Sequence, residues 1–305
     1  MTIHDSLCVI DWGSSRGRAW IIRSGTIVDS LEWDHGVLTA DVGDKRKFLE
    51  SRIAGALEVH EVETVLGVGM IGSRSGIAET PYLECPVNVA AWVEQSVEAG
   101  RVGQASLRLF PGVSSHRSPG GSPGIMRGEE FGVFSLIGNR DHSLFVLPGT
   151  HSKWVWTQGE SIENFETYPT GEMFHQWRNT GSMSSLLAGF EQVTERGFQL
   201  GMGIARDVSN LPSALFSLRA RVMLHELDPQ DLLGALSGAL IMSEVLAGRS
   251  NSPGHTKVLL VGSGEVSELY ELALQAEGFS VQRAPSDPLS FADRWLKLDH
   301  VGSGN

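Results

Sequence analysis

The segment SLCVIDWGSSRGRAWIIRSGTIVDS (Ser6 to Ser30) returns, in order and spacing, as SLFVLPGTHSKWVWTQGESIENFET (Ser143 to Thr167), and this repeat constrains the fold more than any other feature. Each copy begins with a short apolar run that reads as a buried strand. A glycine and hydroxyl residues follow: Gly13-Ser14-Ser15 in the first copy, Gly149-Thr150-His151-Ser152 in the second. Then come a basic residue, a tryptophan-bearing strand, a second turn glycine (Gly25, Gly159) and a third strand. Hairpins share turn chemistry, so pattern alone allows a chance likeness. The agreement in hydroxyl content as well argues for duplication. The expectation is a duplicated α/β fold whose halves face each other, with one phosphate-gripping turn from each.

In the first copy, Leu7 to Ile10 and Ala19 to Ile22 flank a corner that carries an aspartate, a glycine and two serines. Small residues let backbone N–H groups approach a phosphate, and an aspartate at a strand end can hold a hydrated Mg²⁺. An ordinary hairpin turn capped by Asp11 uses the same residues, so the corner alone leaves both readings open. Beyond it, the patterning predicts a third strand in GTIVDSLEWDHGV, a helix from Asp44 to His60 and a buried strand from Thr64 to Met70. The Pro-, Gly- and Ser-rich stretch from Pro111 to Gly128 reads as a loop near a domain boundary. Asp231 to Gly248 reads as a helix whose Gly, Ala and Ser positions permit close packing. KVLLVGSGEVSELYELALQAEGFSV reads as strand, glycine turn, helix and strand. Its Gly262-x-Gly264 turn serves a nucleotide or helix packing. It lacks the third glycine and the ribose-spaced acid of a dinucleotide fingerprint, which argues against an oxidoreductase.

A chain of 305 residues is long enough to split into two domains. With 24 basic and 36 acidic residues, the formal net charge of −12 argues against nucleic acid or an anionic membrane surface as partner. Small molecules are the expected partners, and oligomeric state, a homo-oligomer included, is left open. Cys8 and Cys85 stand far apart without a C-x-x-C pair, and the N-terminus shows no secretory pattern, so a reducing, cytoplasmic setting is expected. No run of 18 uninterrupted apolar residues predicts a membrane span. The histidines lack metal-ligand spacing, so protein-bound zinc is not expected.

IDWGSSRGRAW, GMIGSRSG, IMRGEEFGVF, LPGTHSKWV and TGEMF together resemble the 2-dehydro-3-deoxygalactonokinase family, sugar-acid kinases of the acetate and sugar kinase, Hsc70 and actin superfamily. The resemblance runs from about residue 7 to residue 275, and LPGTHSKWV is its most specific string. It implies an α/β fold of two ribonuclease-H-like (actin-like ATPase) lobes with a nucleotide cleft between them. The expected division is residues 1–126, with the first phosphate turn and the sugar-acid contacts, and residues 127–305, with the second phosphate turn and the adenosine side. ATP and Mg²⁺ are the implied cofactors.

The resemblance also implies roles. Asp11 is expected beside Mg²⁺, with Gly13, Ser14 and Ser15 as phosphate donors. Gly149, Thr150 and Ser152 suit the terminal phosphates of ATP, and Lys153 neutralises charge during transfer, although composition alone reads it as a solvated lysine. Gly262 and Gly264 fall on the nucleotide side. Glu129 is the expected base, since related sugar kinases place a Gly-Asp pair there. Adjacent helical residues point about 100° apart, so Glu129 and Glu130 cannot both face one hydroxyl; both also suit a helix N-terminus electrostatically. Arg18, Arg74 and Arg127 are candidates for the substrate carboxylate. His151 is a loop-holding donor or a substrate contact, and Glu172 a polar contact or a first-turn acid. The chain departs from the family pattern at Arg16, at Arg74 and Ile77, and in the loop before IMRGEE, all where an acceptor would be read. The leading expectation is phosphorylation of the 6-hydroxyl of 2-dehydro-3-deoxy-D-galactonate. The rivals are a kinase for another sugar acid and an ATP-binding module that transfers nothing.

Overall fold

The computed structural model describes residues 6–39, 44–138, 143–207 and 210–302. The chain forms two compact units: unit 1 comprises Met1–Asp141, Trp156–Phe165 and Ser286–Asn305, and unit 2 comprises His142–Val155 and Glu166–Pro285.

Unit 1 opens with β1 (Ser6–Trp12), β2 (Gly17–Arg23), β3 (Thr26–Trp33), α1 (Lys45–Val59) and β4 (Thr64–Gly69). This is the predicted β-β-β-α-β order. Asp44 caps α1, its side chain accepting from the Arg46 and Lys47 N–H groups. Leu49, Ile53 and Leu57, spaced by four, turn the buried face of α1 onto the sheet. There Ile10, Trp12, Ile21 and Leu107 close the core. After a 3₁₀ turn at Met70–Gly72 come β5 (Tyr82–Glu84), β6 (Val87–Asn88), α2 (Val89–Glu94), β7 (Val97–Val102), β8 (Ala105–Leu109), β9 (Gly112–Ser115), β10 (Gly124–Met126) and α3 (Glu129–Leu136). The six strands of the first sheet lie in the order β3-β2-β1-β4-β8-β7.

The stretch from Pro111 to Gly128 is therefore not all loop, as its composition predicts. β9 pairs antiparallel with β10 and parallel with β5 in a three-stranded sheet. Only a turn remains between them, where Gly121 N–H donates to Ser118 O at 2.8 Å. Two strands of three and four residues are too short to leave an alternation in the sequence, and β5 supplies partners that composition does not show.

The second copy gives β11 (Leu144–Leu147), β12 (Ser152–Gln158) and β13 (Ser161–Tyr168). Helices α4 (Thr170–Asn179), α5 (Ser184–Leu187), α6 (Glu195–Asp207), α7 (Leu211–Met223) and α8 (Leu232–Ser250) follow, then β14 (Lys257–Val261), α9 (Glu265–Ala276), β15 (Ser280–Ala284) and α10 (Pro288–Gly302). The second sheet runs β15-β14-β11-β12-β13, with β6 beyond β13. From the third strand inward, both sheets read third, second, first, fourth and then one more strand, β8 in the first sheet and β15 in the second, with β7 added at the edge of the first beyond β8. In both, the fourth strand is parallel to the first, and the strand beyond it, β8 or β15, is parallel to the fourth. The repeat read from the sequence is thus a repeat of topology, and the ribonuclease-H-like α/β class is borne out.

Pro229–Ser250 is long and apolar enough to cross a bilayer by length and composition, yet 83% of its most apolar window is buried within the protein. It is a core helix, and its glycines explain how it is buried. A Cβ at Gly238 would lie 2.2 Å from the Phe198 carbonyl oxygen, and one at Gly201 would lie 2.1 Å from that of Ala235. Backbones of α6 and α8 meet at these points, as the small residues predict.

Candidate active site

In unit 1 the apolar run of β1 ends at Asp11, opposite Arg18 of β2 in the antiparallel register. On its other side, Trp12 pairs with Gly69 at the end of parallel β4. Carboxyl ends of parallel strands are where open α/β sheets place ligands. Gly69, at φ 91°, has no room for a side chain: a Cβ would lie 2.9 Å from Trp12 O and 3.3 Å from Asp11 Oδ1. Gly128, at φ 113°, comes equally close, its Cβ position 3.2 Å from the Gly69 Cα. Glycine on glycine brings the N-terminus of α3 against the strand end that carries Asp11.

Glu129 and Glu130 open α3 and diverge, as helical geometry requires. Glu130 is fully buried, and both its oxygens accept from Gly128 N–H at 2.8 and 2.7 Å. Burial, then the charge of Glu129, pushes its pKa up to about 8. Glu129 is half-buried, and its Oε2 accepts from Arg127 N–H at 3.0 Å. Asp11 titrates above the usual carboxylate range because burial disfavours its charge and Glu129 adds repulsion, against the pull of Arg18 and Arg16. Asp11 and Glu129 therefore share one electrostatic neighbourhood.

The first turn is fixed from behind. Gly13 N–H donates to Arg16 O at 3.0 Å, while Gly13 O accepts from Val37 N–H at 2.9 Å. Gly36 packs on the turn so closely that a Cβ would lie 2.0 Å from Ser14 O. With those carbonyls turned toward residues 36–38, Ser14 and Ser15 remain exposed. Arg16 is exposed in the same turn, and Arg74 is exposed in the loop after β4. Arg18 lies 3.4 Å from Asp11 Oδ2, with its guanidinium 5.7 Å from the Trp20 ring centroid.

Arg127 departs from expectation. Its guanidinium is drawn inward, donating to Thr80 Oγ1, to Thr80 O at 2.8 Å and to the Tyr82 hydroxyl at 3.2 Å. It also stacks on the Tyr82 ring, 4.2 Å from the centroid. Its donors are committed to holding residues 80–82 beside α3, which leaves Arg18 and Arg74 as carboxylate candidates.

Unit 2 repeats the arrangement of the first turn. Gly171, just after β13, takes the place of Gly36: a Cβ there would lie 2.4 Å from Gly149 O, and Glu172 N–H donates to Thr150 O at 2.9 Å. Gly149, Thr150 and His151 are exposed, and His151 Nε2 is 2.8 Å from Glu172 Oε2. That contact ties His151 to the first turn of α4. Ser152 and Lys153 instead point inward. Ser152 is fully buried with its Oγ 2.7 Å from the Tyr270 hydroxyl. Lys153 is buried and its Nζ donates to His151 O at 2.8 Å, bracing the turn from below rather than lying solvated at a strand edge. Gly262 (φ 152°) and Gly264 (φ 79°) turn the chain from β14 into α9. A cavity of about 250 Å³ lies beside the second turn, lined among others by Gly149, Thr170, Leu240, Ile241, Glu265 and Tyr270. A mostly apolar pocket with a few polar groups suits a small organic ligand.

Sequence reasoning missed Gly36, Gly171 and a buried carboxylate, Glu244, in α8. Glu244 had a signal: it is the one acid in the apolar run ALIMSEVLAG. A larger cavity of about 860 Å³, lined by Glu58, Thr64, Arg101 and Ser106 among others, sits where β4 and β8 begin, at the opposite ends of these strands from Asp11. Among the described residues no three His, Cys, Asp or Glu side chains form a metal-binding group. A lone carboxylate such as Asp11 still fits Mg²⁺, which is usually held by one or two carboxylates, phosphates and water.

Residues 11–295 match the 2-keto-3-deoxy-galactonokinase family. The chain is 30% identical over 294 residues to a probable 2-dehydro-3-deoxygalactonokinase of Rhizobium meliloti (strain 1021), covering 94% of each chain. It is 29% identical over 279 residues to the 2-dehydro-3-deoxygalactonokinase of Escherichia coli (strain K12), covering 91% of this chain and 92% of the relative. Among solved structures, a putative 2-dehydro-3-deoxygalactonokinase protein from Sinorhizobium meliloti superposes with a TM-score of 0.84 at 26% identity, over 98% of this chain and 100% of that one.

Proposed function

Because the chain belongs to the 2-keto-3-deoxy-galactonokinase family, we propose that it transfers the γ-phosphoryl group of ATP to the 6-hydroxyl of 2-dehydro-3-deoxy-D-galactonate. The observation that carries the assignment of parts is the close approach of Gly128 to Gly69, whose own Cβ position lies 3.3 Å from Asp11 Oδ1, which sets the start of α3 and Glu129 beside the strand ends at Asp11. Phosphoryl transfer to an alcohol needs a base at the hydroxyl, positioning, and relief of phosphate charge.

Glu129 takes the proton from the 6-hydroxyl as the O6–Pγ bond forms. The bond from Pγ to the bridging oxygen breaks, and its electron pair stays on the β-phosphate of ADP. The proton passes from Glu129 to solvent after release. Asp11 would hold Mg²⁺ through water, and the ion supplies charge neutralisation at the β- and γ-phosphates. The exposed first turn offers the Ser14 and Ser15 donors, and the second turn offers Gly149 and Thr150. The cavity beside the second turn takes the nucleoside. Arg18 and Arg74 are the proposed partners of the sugar-acid carboxylate, through the two-pronged contact that arginine provides.

The product tests the proposal. Incubation with Mg-ATP and 2-dehydro-3-deoxy-D-galactonate should give a phosphomonoester coupled to the C6 protons in phosphorus NMR. An ester at another carbon would refute the regiochemistry, and free phosphate alone would refute the transfer.

A further inference from the structure

Glu244 lies in the middle of α8 and is 3% exposed. An uncompensated carboxylate there would be costly, and unit 2 surrounds it with donors from three other elements. Its Oε1 accepts from Trp154 Nε1 of β12 at 2.9 Å. Its Oε2 accepts from Thr170 Oγ1, at the start of α4, and from the Tyr270 hydroxyl of α9 at 2.6 Å. Because Tyr270 gives its only proton to Glu244, its oxygen is left to accept from Ser152 Oγ at 2.7 Å. Trp154 is pinned on the same face of α8 by Gly248, four residues on, where a Cβ would lie 2.5 Å from the indole.

These donors are not scattered through the core. Thr170 and Tyr270 line the 250 Å³ cavity, and Ser152 ends the second turn. We propose that Glu244 is a positioning residue for the nucleotide: through Thr170, Tyr270 and Ser152 it fixes the second turn, the start of α4 and the wall of α9 in the spacing that receives ATP. This rests on the reading of that cavity as the nucleoside site. No packing requirement explains the choice of an acid, since an apolar side chain of similar size would fill α8 without needing partners. What the carboxyl group adds is direction: its oxygens take the Trp154, Thr170 and Tyr270 protons, and the Tyr270 oxygen is left to face Ser152.

Glu244→Gln preserves size and reverses that direction. The amide oxygen can still take the Trp154 N–H, but the NH₂ group then faces Thr170 and Tyr270, which must turn to accept. Tyr270 sends its proton to Ser152, and Ser152 must turn in its place. The expected result is a KM for ATP and a Kd for ADP, read by calorimetry, each raised about tenfold, equivalent to about 1.4 kcal/mol. The KM for the sugar acid should stay within about twofold, since no part of the chain of hydroxyls belongs to unit 1. Tyr270→Phe cuts the link to Ser152 and should shift the same constants in the same direction. The double variant should be less than additive, because both changes break one chain.

A side chain that only holds the core would lower Tm and leave both KM values where they were; that pattern overturns the proposal, as does an equal rise in both. If Glu244→Gln does not fold, Tyr270→Phe decides by the same readings. Wild-type protein that binds no ADP overturns the kinase reading and this inference with it. Wild-type binding with unchanged binding by both variants overturns this inference alone.

Discussion

At the start of α3 two adjacent carboxylates meet different surroundings. Glu130 is buried on Gly128 N–H, and Glu129 remains half-buried near Asp11. Glu129→Gln should lower kcat by about 100- to 10,000-fold, the usual worth of a general base, with ADP affinity retained. Near-normal turnover would remove Glu129 from the mechanism. Glu130 has a different consequence. Its folded pKa of about 8 stands above its ordinary value of 4.5, so the folded protein holds a proton that the unfolded chain releases between these values. Stability should therefore be fully present at low pH with respect to this group and fall as pH rises toward about 8. Thermal melts from pH 5 to pH 9 should show that decline, and Glu130→Gln should flatten it. An identical slope in the variant would show that Glu130 does not cause it.

Among the elements, the glycines of α6 allow a paired test. Gly201 faces the Ala235 carbonyl with no room for a methyl, whereas a Cβ at Gly203 meets nothing within 4 Å. Gly201→Ala should cost about 1–3 kcal/mol by overpacking, and Gly203→Ala should stabilise by about 0.5–1 kcal/mol through helix propensity. Urea midpoints with unchanged m-values would measure both. Close packing of this kind was legible in the sequence, because small residues recur at helical spacing. So were β1 to β4, α1 and the second copy, each long and periodic enough to mark itself. β9 and β10 were not, since their pairing depends on a strand thirty residues away. Nor was the inward turn of Arg127, whose partners lie at residues 80–82, or that of Ser152, whose partner is Tyr270. Sequence spacing finds residues on one turn. It does not tell which way a side chain points when its partner is remote.

At the scale of the molecule, the duplicated topology and the family match agree with each other from independent grounds. The two sheets share strand order and parallel pairing, and each copy backs its turn with a glycine, Gly36 or Gly171, and an N–H bond to a turn carbonyl. That common device explains why Gly-hydroxyl turns recur at both places in the sequence: a turn held from behind keeps its outer face free. Arg16 and Arg74 are both exposed in unit 1, in the first turn and in the loop after β4. The most direct measurement is ADP release by the purified protein with Mg-ATP against 2-keto-3-deoxy sugar acids, the galactonate and gluconate epimers among them, and against simple hexoses. Release that depends on the galactonate epimer is the predicted result, and ADP release indifferent to every acceptor would contradict it.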